Sequence, residues 1–142
     1  MRMQALSLST ALLLTLPFAA QAQEVSASHL SQALGMPGLQ VKAVPKRRPQ
    51  QVQQDYDVTD AAGKDIATVT TAAPAVFAEW KQMPGFEPVT GVGQEAYWRP
   101  GVDQLCARGA KASACVTLMP MAFPKDKKPT MAQLKAVLQG VI

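Results

Sequence analysis

The chain has 142 residues, 48% of them hydrophobic, with 14 lysines and arginines against 10 carboxylates and a formal net charge of +4. This length suits one ordinary domain, able to bury about two thirds of its unfolded surface without help from a cofactor. The excess of cations is mild and points toward anionic partners only in a general way.

Residues 1–22, MRMQALSLSTALLLTLPFAAQA, read as a signal peptide. Arg2 supplies a positive start, Ala11 to Ala20 is apolar apart from Thr15 and Pro17, and Ala20-Gln21-Ala22 places small residues before a cut. The run is shorter than the roughly 20 residues of a bilayer span. No cysteine near the cut allows lipid attachment, and no later segment is apolar enough to span a membrane. The expected product is a single periplasmic or secreted domain over 23–142. Without Arg2 the count of Lys plus Arg falls from 14 to 13 against 10 acids, a net charge of +3. Export takes nucleic acid off the list of partners and leaves a protein or an anionic envelope component.

Along that domain, Ser26 or Ser28 can cap a short helix through Leu30, Ala33 and Leu34, which Gly35 ends. A strand is expected at Leu39 to Val44, and Pro45 to Pro49 encloses Lys46-Arg47-Arg48 in a loop. Val52, Gln54, Tyr56 and Val58 then alternate as on one strand face, and Asp60 to Lys64 turns the chain into Asp65 to Thr71, making a hairpin. Pro74 suits a first helical turn, with Val76, Phe77, Trp80 and Met83 at helical spacing until Pro84-Gly85. From Phe86 β character returns through GVGQEAYW, a turn at Arg99-Pro100-Gly101 and a second hairpin. Pro120 and Pro124 break the pattern, and Lys125 to Pro129 is a charged loop. Thr130 with Gln133 forms a capping box before Leu134, Val137, Leu138 and Val141. The order describes an α+β fold, a mostly antiparallel sheet covered on one face by two or three helices.

Laying Met36-Pro37-Gly38 over Met83-Pro84-Gly85 also aligns Lys64 with Lys111, Ala67 with Ala114 and Val69-Thr70 with Val116-Thr117. That match suggests a duplicated α-β-β-β unit.

Cys106 and Cys115 are an even pair in a chain expected to be exported, which argues for a disulfide. Strands at Leu105 to Arg108 and Ser113 to Leu118, joined by Gly109 to Ala112, would set the two directly opposite each other. A non-hydrogen-bonded pair has its Cα atoms roughly 4.5 Å apart, at the short end of the disulfide range. The spacing matches neither CxxC chemistry nor a usual zinc site.

The stretch GVGQEAYWRPGVDQLCAR resembles a pattern in small exported bacterial domains, in which a glycine-flanked turn leads through an acid and Ala-Tyr into a hairpin ending in Arg. The resemblance covers roughly residues 74 to 119 and implies a compact α+β fold and no activity. Gln94 stands where that pattern often has an acid, and the hairpin cysteines are an addition.

Catalytic constellations are absent from the sequence. His29 is the one histidine, no GxSxG elbow accompanies it, and Gly91-Val92-Gly93 reads as a turn. Asp55, Asp57, Asp60 and Asp65 do not follow calcium-loop spacing, and Glu79, Glu87 and Glu95 are isolated. No cofactor is expected. Met119 and Met121 present two thioethers that, with His29 or Met131, offer Cu(I) a soft site. Tyr97, Trp98 and Arg99 sit together on a strand, so one ring should enter the core and the other face outward. Beside Lys46, Arg47 and Arg48, the outward ring and Arg99 would form a mixed aromatic and cationic binding face. The sequence thus reads as a non-catalytic exported binding or inhibitor-like protein. An exported copper-binding protein is the alternative, and a small hydrolase the third reading.

Overall fold

The computed structural model describes residues 24–142; the expected signal peptide lies outside them. Helix α1 (Ala27–Leu34) starts where Ser26 Oγ accepts from the His29 N–H and ends at Gly35, which takes a left-handed φ of 65°. Helix α3 (Met131–Gln139) carries the full capping box: Gln133 N–H donates to Thr130 Oγ1 at 3.2 Å, and Thr130 N–H to Gln133 Oε1 at 2.9 Å. The two helices are tied by Gln133 Nε2, which donates to the Leu34 carbonyl, and by His29 Nε2, 2.9 Å from the Ala136 carbonyl. Gly140 admits the His29 ring, for a Cβ there would lie 2.2 Å from Nε2.

Among the described residues, seven strands form one antiparallel sheet: β1 (Gln40–Ala43), β2 (Gln54–Thr59), β3 (Asp65–Ala72), β4 (Glu87–Val89), β5 (Glu95–Arg99), β6 (Gln104–Arg108) and β7 (Ser113–Leu118). Their spatial order is β1-β2-β3-β7-β6-β5-β4. Directly opposed residues share a face, so Tyr56, Val69, Val116, Leu105 and Trp98 make one row across five strands. This row packs with Leu30, Leu34, Leu134, Val137 and Leu138 of α1 and α3 in the main core. Between Val58 and Thr59 the register shifts, so Ile66 has no opposite residue, and both Ile66 and Ala67 are buried.

The opposite face carries the row Asp55, Thr70, Cys115, Cys106, Tyr97 and Pro88. A 3-10 turn at Pro74–Val76 and the single-turn helix α2 (Phe77–Trp80) lie over its centre, where Phe77, Tyr97 and the cysteines form a second cluster with Trp80 and Phe86. The helical spacing of Val76, Phe77, Trp80 and Met83 therefore continues past Trp80 only as turns (Gln82 N to Glu79 O, Met83 N to Trp80 O). Two helices cover one face and the short third packs on the other.

The aligned halves map β3 onto β7, and the matched residues Val69 and Val116 are each other's partners at the sheet centre. A two-fold axis through that pair, normal to the sheet, would keep equivalent helices on one face. Here α1 and α2 lie on opposite faces, and the second half has four strands against the first half's three, so only the central pairs β2–β3 and β6–β7 follow the repeat.

Candidate functional site

Residues 39–54, LQVKAVPKRRPQQVQQ, contain four cations and no carboxylate. They comprise the edge strand β1 and its connection to β2. Val44 N–H makes a backbone bond to Asp55 O at 2.9 Å; Pro45 then falls at a non-hydrogen-bonded position, the Val44 carbonyl accepts from the Gln54 side chain, and no backbone bond from residues 46–53 carries the ladder further. Strand β2 consequently begins at Gln54, and Val52, expected in the alternating strand, is a loop residue at 65% exposure. Glutamines order the loop. Arg47 N–H donates to Gln51 Oε1 at 3.3 Å, Gln51 Nε2 to Gln53 O at 3.1 Å, and Gln54 Nε2 to Val44 O at 2.8 Å. Lys46, Arg47 and Arg48 are left exposed, without an ion pair among the described residues. Arg47 and Arg48 line an open cleft of about 620 Å³ together with Gln50, Gln51, Val52 and Gln53.

The sheet does not bring this loop to Tyr97, Trp98 and Arg99. Strands β3, β7 and β6 intervene between β2 and β5, which at about 4.8 Å per strand is roughly 19 Å. Tyr97 is 2% exposed, with ring centroids 5.4 Å from Phe77 and 5.2 Å from Phe86. Trp98 is half-buried on the helix-covered face. Arg99 lies on the face of Tyr97 and donates to Gln104 Oε1 at 3.1 Å and to Met83 Sδ at 3.8 Å. The single aromatic and cationic face expected from the sequence is thus two separate places, and neither ring of the pair is fully exposed.

A third place was unmarked in the sequence. Glu95 and Arg108 are directly opposed on β5 and β6, and Lys81, just after α2, bonds the same carboxylate. Arg108 also donates to Gln94 Oε1 at 2.9 Å. The hydrogen bond from Lys81 and the charges of Lys81 and Arg108 hold the Glu95 carboxyl below its ordinary range, against a smaller opposing effect of burial. These groups line a hollow of about 360 Å³ with Pro74, Ala75, Phe77 and Ala78. The triad links the end of α2 to the sheet through a cross-strand ion pair. The equal distances of Glu95 and Arg108 from the β5–β6 turn were the available signal.

Met119 is half-buried and Met121 is 95% exposed at a φ of 62°. Both line a hollow of about 230 Å³ with Asp103, Phe123, Lys125 and Lys128, whose two ammonium groups oppose a bound cation. His29 is occupied by the carbonyls of α3. Among the described residues no group of three or more His, Cys, Asp or Glu is placed to hold a metal, and no helix is long and apolar enough to cross a membrane.

Burial raises the Tyr97 phenol, partly offset by Arg99. Burial and then Glu24 raise Tyr56, opposed by a hydrogen bond to Thr71. Both folded values exceed the unfolded value of about 10, so this stabilisation is complete below about pH 10 and is lost as pH rises through the folded values. Urea unfolding between about pH 8 and 11 should show falling stability, and Tyr97→Phe should shrink the fall. An equal fall in both proteins would remove Tyr97 as a cause.

Comparison with family models, with characterised proteins and with solved structures returns no match for this chain.

Proposed function

We propose that this protein is a non-catalytic, exported binding or inhibitor-like domain that engages an acidic protein or an anionic envelope component through its basic β1 margin. The carrying observation is the acid-free run 39–54, in which Lys42 stands on β1 and Lys46, Arg47 and Arg48 stand exposed on a loop already ordered by glutamine hydrogen bonds. An ordered loop loses little entropy on binding, so its charges act on encounter rate and specificity. The groups most suited to catalysis have structural roles: His29 bonds α3, Glu95 is ion-paired and the cysteines are bridged. The Cys106–Cys115 bridge fits an oxidising compartment, and the leader-like residues 1–22 agree with that address.

The test compares the mature domain with its Lys46→Glu/Arg47→Glu/Arg48→Glu variant for binding to the envelope fraction of the native host, at low and high salt. The variant should fold and melt as the parent does, and binding should fall by about tenfold or more. The parent's own binding should weaken with salt. Equal binding by parent and variant would overturn the assignment of this margin.

A further inference from the structure

The two edges of the sheet differ in their capacity to accept another strand. Strand β4 has three residues and carries Pro88 at its centre, so it lacks a donor there. Strand β1 has four residues, and its phase against β2 is set by the Val44 N–H to Asp55 O bond. Antiparallel pairing alternates between hydrogen-bonded and non-hydrogen-bonded residue pairs. With Val44 opposite Asp55, Lys42 opposite Asp57 and Gln40 opposite Thr59 exchange backbone bonds, while Val41 and Ala43 direct theirs outward. No described residue takes up the outward N–H and C=O of Val41 or Ala43. The side chain of Lys42 lies on the face away from α1 and α3, and those of Val41 and Ala43 lie on the helix side.

Resting on the reading of this margin as the binding surface, we infer that β1 accepts an extended acidic segment of a partner protein as an eighth strand. The backbone groups of Val41 and Ala43 supply register-setting hydrogen bonds. Lys42 and the following Lys46-Arg47-Arg48 supply charge complementarity, with no acid in 39–54 to compete within the run. Asp57 flanks Lys42 on the inner side, so an incoming glutamate on the outer side would place that ammonium between two carboxylates. A second copy of this chain is disfavoured, because β1 against β1 brings both sets of cations together.

The probe is a synthetic eight-residue peptide of alternating glutamate and valine, with its lysine-for-glutamate counterpart as control. Binding is followed by nuclear magnetic resonance with amide exchange at Val41 and Ala43. The acidic peptide should bind, slow exchange at both amides and leave the lysine peptide unbound. Ala43→Pro removes only an outward N–H and suits an edge position; it should weaken the acidic peptide by about tenfold or more while the basic loop keeps its charge. Exchange protection in the parent protein reads the same bonds without any variant. Binding that Ala43→Pro leaves intact, with no protection at Val41, would overturn strand addition while leaving the electrostatic reading standing. Binding retained by the Lys46→Glu/Arg47→Glu/Arg48→Glu variant would overturn that reading instead. Absence of binding at about 1 mM peptide, or binding confined to anionic phospholipid vesicles, would also overturn the proposal.

Discussion

Tyr97→Ala is expected to destabilise the protein by about 3 to 5 kcal/mol, the range for removing a large buried aromatic side chain. Tyr97 is 2% exposed between Phe77 and Phe86, and it belongs to the small cluster that seats α2 on the sheet. Its two ring contacts add about 0.5 to 1.5 kcal/mol each beyond area burial. A single helical turn has almost no stability of its own, so loss of the ring leaves α2 held by Phe77, Trp80 and the half-buried Lys81–Glu95–Arg108 ion pairs. Ion pairs of that exposure contribute little. Urea unfolding measures the effect, and Tyr97→Phe, which keeps both ring contacts, should lose far less at neutral pH. A loss below about 1 kcal/mol for Tyr97→Ala would show that α2 does not cover this ring.

Removing the bridge, as Cys106→Ala/Cys115→Ala, should cost about 2 to 3 kcal/mol, the chain-entropy value for closing a loop of about ten residues. The cysteines are directly opposed and their Cα atoms are 4.0 Å apart, the close spacing of a non-hydrogen-bonded antiparallel pair. Both are buried beneath α2, so the folded sheet brings them together whether or not the bond exists. The bridge therefore acts chiefly on the unfolded chain. The denaturation midpoint should fall in the variant, and reductant should lower the parent's midpoint while leaving the variant's unchanged. An unaltered midpoint in the variant would sink this account. Because Tyr97 shares the cluster with both cysteines, its loss and the loss of the bridge should not be additive.

Some of this architecture was legible because it depends on neighbours along the chain. The Thr130–Gln133 capping box, the Ser26 cap and the Gly35 stop are interactions within a few residues, and each occurs where the residue types call for it. The Gly109 to Ala112 loop sets the register of β6 and β7, which is why spacing set the two cysteines opposite each other once their even count and the expected export argued for a bridge. The charge content of residues 39–54 is likewise a property of the chain.

The placement of those elements was decided by long-range pairing. Alternation shows that Tyr97 and Trp98 point to opposite faces, but which face receives α1 and α3, and which receives α2, depends on strand order across β3 and β7. That same order puts the Lys46–Arg48 loop and Arg99 at different margins, and it brings Lys81 onto a carboxylate whose other partner lies across a strand. The outward phase of Val41 and Ala43 follows from one backbone bond to Asp55. The sequence by itself determined the caps, the turns, the cysteine pairing and the basic run, because short-range sterics and hydrogen bonds suffice for them. Only the tertiary structure decided which side chains share a face and which backbone edge stays open, because those depend on partners distant in the chain.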